Sequence, residues 1–313
     1  MQKRILGRSE ISIAPLVFGG NVFGWTADEA CSFELLDRFV ERGFNAIDTA
    51  DVYSAWAPDL HGGESETVLG NWLARRGRRE DVVLMTKVGL WTPRKGLSAT
   101  NIEAAVNDSL KRLRTDYLDV YFAHIDDEEV PLEETLGAFA KLIEAGKVRA
   151  IGASNYSAER LRQALNVSQE QGLPRYELIQ PLYNLYDRED FEAGLAGVAK
   201  EHELGVVSYF SLASGFLTGK YTSIEDLKGN ARAEFLKKYF DQRGQNLLQE
   251  LLSIADELAI KPAQVALAWL LSRPAVTAPI ASATSLLQLD EMLDAVELSL
   301  PEEALARLES ANR

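Results

Sequence analysis

The stretch Asn45 to Tyr53, N-A-I-D-T-A-D-V-Y, decides how this chain is read. A short apolar run, Phe44 to Ile47, has strand character and ends on the carboxylate of Asp48; the phenol of Tyr53 follows one short loop later. Barrel and open-sheet enzymes keep their chemistry where strand ends hand polar groups to a loop. An Asp in such a place also caps helices and forms turns, so the weight of the stretch rests on its partners elsewhere in the chain.

Working outward, the same unit recurs. Lys3 to Ile13 alternates around Gly7, Arg8 and Ser9 and predicts a short β-hairpin. The apolar run Pro15 to Phe18 ends at Gly19, Gly20 and Asn21 and predicts the first core strand. Amphipathic helices then alternate with short apolar strands. Helix Asp28 to Glu41 precedes strand Phe44 to Asp48, helix Glu64 to Arg75 precedes Val82 to Lys87, and helix Thr100 to Leu113 precedes Leu118 to His124. Helix Pro131 to Ala145 precedes Val148 to Gly152, helix Ala158 to Leu165 precedes Glu177 to Gln180, and helix Phe191 to Glu203 precedes Val206 to Phe210. A long excursion, Tyr221 to Gln245, separates these from helices Asn246 to Ala259 and Pro262 to Ser272, strand Val276 to Ser282 and helix Leu286 to Ala295.

Strict alternation implies parallel strands with helical crossovers, and eight such units close into an α/β fold of the (β/α)8 TIM-barrel kind. An open doubly wound sheet would announce itself with G-x-G-x-x-G after its first strand; that turn here reads F-G-G-N-V-F-G. The expectation is therefore a single domain over 1–313, with the hairpin in 1–14, the barrel in 15–295 and a C-terminal tail in 296–313.

Composition narrows the partners. Of 313 residues 46% are hydrophobic and 26% charged, which suits a globular protein with ample core. The net charge of −14 argues against nucleic acid or an anionic membrane as partner. An anionic cofactor must then bind through local donors. The N-terminal residues lack a long apolar region and no stretch approaches a membrane span, so a cytoplasmic protein, a monomer or a small homo-oligomer, is expected. The single Cys31 has no partner for an internal disulfide and reads as a small helix residue.

Polar or small residues punctuate the C-terminal ends of the expected strands in turn: Gly20 and Asn21, Asp48, Lys87, His124, Ser154 and Asn155, Gln180, Tyr209, Ser282. In a closed barrel these ends converge on one mouth. Asp48, Tyr53, Lys87 and His124 together describe a carbonyl chemistry. A buried Lys beside a phenol favours phenolate and is expected to lower the tyrosine pKa from about 10. The carboxylate holds the lysine charged, and a neutral His donates a hydrogen bond to a carbonyl oxygen. No side chain supplies hydride, so a nicotinamide cofactor is implied. With three His and one Cys, and no H-E-x-x-H or C-x-x-C spacing, no metal is expected. A G-x-S-x-G elbow is missing too, which disfavours a serine hydrolase.

From end to end the chain resembles the aldo-keto reductases. The resemblance rests on N-A-I-D-T-A-D-V-Y, M-T-K-V-G, Y-L-D-V-Y-F-A-H, G-K-V-R-A-I-G-A-S-N-Y, I-Q-P-L-Y-N, S-Y-F-S-L-A-S-G-F-L-T-G-K-Y and P-I-A-S-A-T-S-L-L-Q-L-D-E, in that order over roughly residues 5 to 295. It implies a (β/α)8 barrel that binds NADP(H) and reduces aldehydes or ketones. Tyr53 is then the implied general acid, Lys87 the residue that lowers its pKa, Asp48 the partner of Lys87, and His124 the residue that orients the substrate carbonyl. Ser154, Asn155 and Gln180 match positions that hold the nicotinamide carboxamide, and Tyr209 the aromatic that stacks on its ring. Leu212, Ser214, Gly215 and Lys220 fall where the pyrophosphate lies, and Ser282, Thr284, Gln288 and Glu291 where the adenosine end lies. Gly20, Asn21 and Asp48 are expected on the cofactor side as well. The loop aromatics Phe23, Trp25, Trp56 and Trp91 are expected to line a substrate pocket for a small carbonyl compound. Two departures stand out. The segment A-S-A-T-S-L-L-Q lacks the Arg or Lys that often grips the 2′-phosphate, which leaves NAD(H) open beside NADP(H), and S-Y-F-S-L lacks a proline after the aromatic. The alternative function is a cofactor-binding redox sensor of the same fold, as in the potassium-channel β subunits.

Overall fold

In the computed structural model, which describes residues 1–229 and 233–312, eight parallel strands close into a barrel. Residues 230–232, inside the expected excursion, and residue 313, at the end of the expected tail, lie outside the described residues. Strands β1 (Arg4–Ile5) and β2 (Ser12–Ile13) form the antiparallel hairpin. The barrel runs through β3 (Val17–Gly19), β4 (Ala46–Asp48), β5 (Val83–Val88), β6 (Leu118–Ala123), β7 (Val148–Ser154), β8 (Tyr176–Gln180), β9 (Gly205–Ser208) and β10 (Ala278–Ala281), with β10 pairing back onto β3. Around it lie α1 (Glu29–Glu41), α2 (Glu64–Arg76), α3 (Ala99–Leu113), α4 (Leu132–Glu144), α5 (Ala158–Gln171), α6 (Ala196–Glu201), α7 (Ala233–Leu236), α8 (Gln242–Leu258), α9 (Pro262–Leu271), α10 (Leu286–Asp294) and α11 (Glu302–Ala311). No helix among the described residues is long and apolar enough to cross a membrane.

Several boundaries depart from the apolar pattern for identifiable reasons. Helix α5 runs on through polar residues to Gln171 and stops where Gly172 takes a left-handed φ of 64°. The expected helix from Phe191 opens with a π-helical turn, Phe191–Leu195, before α6 begins. Helix α8 starts at Gln242 because the Asp241 side chain accepts from the Gly244 N–H at 2.7 Å. The last residues carry α11, whose Leu308 is buried.

Strand alternation sorts the apolar residues into two cores. Phe18, Ile47, Leu84, Tyr121, Ile151 and Val206 face outward into the layer beneath the helices. Val17, Ala46, Val83, Met85, Val120, Phe122, Ala150, Leu178, Val207, Ala278 and Ile280 fill the barrel interior. The hairpin region closes the lower end of that interior with Leu6, Ile11 and Ile13. Gly7 sits so close to the Glu177 carbonyl that a Cβ there would run into it.

The interior is packed by matching large against small. Phe122 occupies space beside Gly152 on the neighbouring strand, and a Cβ on Gly152 would run into the Phe122 ring. Gly152→Ala should cost about 1–3 kcal/mol by overpacking. Adding Phe122→Leu should recover part of that loss, so chemical denaturation of both single variants and the double should give a non-additive cycle.

Candidate active site

The barrel positions the site by parity. Each polar residue at the mouth lies two residues beyond the last inward apolar residue of its strand: Asp48 after Ala46, Lys87 after Met85, His124 after Phe122, Gln180 after Leu178, Tyr209 after Val207 and Ser282 after Ile280. With a period of two, all of these side chains continue the interior column. The same strands that build the core therefore aim the polar set at one point.

At that point Lys87 and Asp48 form an ion pair, Nζ to Oδ2 2.6 Å, with side chains 0% and 1% exposed. The ammonium also donates to the Tyr53 hydroxyl at 2.7 Å and to the Thr49 carbonyl at 2.8 Å. The Tyr53 hydroxyl in turn donates to Asp48 Oδ2 at 3.0 Å, and Gln180 donates to the other Asp48 oxygen at 2.8 Å. Burial lowers the Lys87 pKa from its ordinary value, while Asp48 opposes that shift. The expected lowering of Tyr53 is reversed. Desolvation first, and the Asp48 carboxylate second, push the phenol well above its usual range. In the sequence the lysine was the visible partner; in the fold, burial and the carboxylate outweigh it.

His124 lies edge to face with Tyr53, ring centroids 6.1 Å apart. Burial, and then the charge of Lys87, hold its pKa well below the usual histidine value, so the ring is neutral. Its Nδ1 is buried with no hydrogen-bond partner among the described residues. Asn155 donates to the His124 carbonyl at 2.8 Å and accepts from the Tyr209 hydroxyl at 2.9 Å; the Ser154 hydroxyl donates to the Gln180 carbonyl at 2.9 Å. Asn155, Gln180 and Tyr209 line a cavity of about 200 Å³ together with Tyr156, Leu182 and Phe191. An amide-bearing flat ring fits this setting, since polar ends and a half-buried phenol ring border one space.

The remaining expected residues divide. Gly20 lies in the turn after β3, and Asn21 accepts from Ser282 at 2.6 Å, joining the first and last strands of the barrel. The Thr284 N–H and hydroxyl both donate to Gln288, at 3.0 and 3.1 Å, and Glu291 is half-buried on α10. After β9 the backbone takes positive φ at Phe210, Ala213, Ser214 and Gly215, with Leu212 between them and Lys220 close to Gly215. Strained residues collected in one loop are typical of ligand clamps. Trp25, Trp56 and Tyr53 form an edge-to-face chain at 5.6 and 5.7 Å, and Trp91 donates to the His61 carbonyl at 2.7 Å. Phe23 departs from expectation. It is 0% exposed and packs on Phe18 beneath the helices, so it belongs to the outer core and not to the mouth.

Residue-by-residue reading missed Thr49, whose carbonyl holds Lys87, because a backbone acceptor leaves no side-chain signal. It also missed Asp51, buried at 2% exposure, and the exposed Phe210, which flanks Tyr209 at 5.3 Å. The Asp in T-A-D-V-Y was a visible signal for the former.

The sequence model of the Aldo/keto reductase family matches residues 15–313. Protein tas of Escherichia coli is 33% identical, over 100% of this chain and 98% of its own. The uncharacterized oxidoreductase YrpG of Bacillus subtilis is 34% identical, over 98% and 95% of the two chains. A probable voltage-gated potassium channel subunit beta of Oryza sativa is 34% identical, over 96% and 94%.

The histidine electrostatics can be checked directly. Nitrogen NMR of His124 should show a neutral imidazole at pH 6, with protonation only well below the ordinary histidine range; a midpoint at 6.5 or above would contradict the site as described.

Proposed function

The chain belongs to the aldo/keto reductase family, whose members generally use NAD(P)H, and we propose that it is an NADP(H)-dependent reductase that converts aldehydes or ketones to alcohols. The observation that carries this reading is the unbroken chain from Asp48 through Lys87 to Tyr53, at 2.6 and 2.7 Å, beside a neutral His124.

A bound nicotinamide supplies the hydride. The residues of the chain manage the oxygen. Neutral His124 donates a hydrogen bond to the substrate carbonyl and sets its orientation. Tyr53 holds its proton at any physiological pH, because burial keeps the phenol neutral. As negative charge develops on the carbonyl oxygen, that oxygen becomes the stronger base and takes the phenolic proton. The phenolate left behind is 2.7 Å from the Lys87 ammonium, which stabilises it. Asp48 keeps the ammonium in place and compensates its charge in the interior.

Ser154, Asn155, Gln180 and Tyr209 hold the nicotinamide end in this reading, the strained loop from Leu212 to Lys220 the pyrophosphate, and Ser282, Thr284, Gln288 and Glu291 the adenosine end. Gly20 and Asn21 border the same side. The hydroxyls of Ser282 and Thr284 and the N-terminus of α10 would hold a 2′-phosphate. Arg38 and Arg42 of α1 reach α10, but each is tied to Asp290 at 2.9 Å. Trp25 and Trp56 face the substrate, which suits an apolar or aromatic carbonyl compound.

A redox-sensor role is the second reading, prompted by the relatives named as channel subunits. The complete set of Asp48, Tyr53, Lys87 and His124 favours turnover. Loss of NADPH absorbance with a panel of aromatic and aliphatic aldehydes should be rapid in the wild type and fall about 10²–10⁴-fold in Tyr53→Phe, with cofactor fluorescence quenching retained. NADPH should exceed NADH in kcat/KM. Tight cofactor binding without turnover of any carbonyl would select the sensor.

A further inference from the structure

The motif I-Q-P-L-Y-N that runs out of β8 ends on Asn184, a fully buried residue that the reaction as described does not use. Beyond the last paired residues of β8 and β9 the two segments run on side by side. The Tyr209 N–H donates to the Pro181 carbonyl at 2.9 Å, and Leu182 forms a parallel bridge with Tyr209. At Phe210 the backbone turns left-handed, with φ 54°, and the pairing passes from main chain to side chain. Asn184 Nδ2 donates to the Phe210 carbonyl at 3.0 Å. The same carbonyl accepts the Ala213 N–H at 2.7 Å, which closes the first turn of the strained loop. A phenylalanine disfavours that conformation, so it persists only where surrounding contacts hold it.

Asn184 is itself fixed. Its Oδ1 accepts the N–H groups of Tyr186 at 2.8 Å and of Asp187 at 2.9 Å, and its Nδ2 also donates to Asp187 Oδ2 at 3.0 Å. That carboxylate is reached from the excursion. The Tyr239 hydroxyl donates to Asp187 Oδ2 at 2.7 Å, and the Lys238 ammonium donates to Oδ1 at 2.8 Å. Tyr239 is fully buried, and its ring stacks on Phe216 of the strained loop with centroids 5.4 Å apart. The Phe235 ring of α7 meets Phe210 edge to face at 6.1 Å. A hydrogen-bonded path therefore runs from Tyr239 through Asp187 and Asn184 to Phe210, and it joins three segments distant in sequence.

We propose that Asn184 is a positioning residue that fixes the turn at Phe210 and, through Asp187, makes the seating of the strained loop depend on the excursion. The seating stands on the hydrogen bonds themselves; its consequence for a dinucleotide rests on the proposed reductase reading. In that reading Tyr209, one residue before the turn, stacks on the nicotinamide, and the loop from Leu212 holds the pyrophosphate. With the Asn184 amide in place, ring and loop stand in one arrangement before a ligand arrives, and little ordering remains to oppose binding. Without that amide the turn loses its anchor on the segment after β8. Only the fraction of molecules with the loop seated then binds well, and the apparent affinity falls by that fraction.

The test uses the full-length protein, first without cofactor. Asn184→Asp keeps the oxygen that accepts from Tyr186 and Asp187 and turns the donor to Phe210 into an acceptor. Tyr239→Phe keeps the ring on Phe216 and removes only the far hydroxyl. Amide hydrogen exchange over residues 209–220 should quicken about tenfold or more in Asn184→Asp and about two- to fivefold in Tyr239→Phe, with cooperative melting in both. The double variant should exchange no faster than Asn184→Asp, since both changes act on one path. The NADPH Kd from fluorescence titration should rise in the same order, while kcat at saturating NADPH stays within about twofold. Unchanged loop exchange in Asn184→Asp would overturn the positioning role. Unchanged exchange in Tyr239→Phe, or additive effects in the double variant, would overturn the link to the excursion. Exchange that rises equally across the barrel would make these residues general supports of the fold and defeat the proposal. Faster loop exchange with an unmoved NADPH Kd would remove the consequence for the cofactor. The expected loop exchange in a protein that binds neither NADPH nor NADH would support the seating and overturn the reductase reading instead.

Discussion

A lysine and an aspartate, both almost entirely removed from water, face each other across 2.6 Å at the top of the barrel interior. Taking two charges out of water costs several kcal/mol per ion, and their attraction offsets this only when the remaining hydrogen-bonding capacity is also filled. Here it is filled. The ammonium reaches Thr49 and Tyr53 as well as Asp48, and the carboxylate receives Tyr53 and Gln180 as well as Lys87. The pair thus recruits groups from β4, its following loop, β5 and β8, and the mouth is organised by the need to satisfy it. Such a pair is weak evidence for stability and stronger evidence for a site, since apolar residues would fill the same volume at less cost.

The scaffold makes this arrangement possible because interior and exterior are separated by a single residue step. Along β5, Val83 and Met85 fill the interior and Lys87 caps them, while Leu84 and Val88 pack beneath the helices and Thr86 holds Glu66. A one-residue slip would exchange those faces and expel the lysine from the mouth. Closure of β10 onto β3 then brings the ends of the chain's first and last barrel strands together, which Asn21 and Ser282 mark with a 2.6 Å hydrogen bond.

Environment, rather than residue identity, sets the protonation states at the mouth. Next to Lys87, a phenol in water would become more acidic; in the interior, desolvation and Asp48 reverse that direction. His124 shows the same logic with the opposite sign of charge, since burial and the lysine both disfavour the imidazolium. A protonated phenol and a neutral imidazole side by side are the states that a donor to a carbonyl oxygen needs.

The alternation of helix and strand, the closed barrel, the hairpin ahead of it and the inward set Asp48, Lys87, His124, Gln180 and Tyr209 were all legible in the linear order of residues. Periodicity is a local property, and a period of two carries an inward face outward to the strand end without knowledge of the neighbours. Phe23 was misplaced because a loop aromatic has no period to say which side it faces, and only its contact with Phe18 puts it in the outer core. The direction of the Tyr53 shift and the burial of Asp51 were not legible for a related reason. Both depend first on how much water is removed, which is settled only once the barrel has closed around the loop after β4. The sequence by itself determined which side chains would meet at the mouth; the tertiary structure alone decided how much water each would keep, and with it where each proton resides.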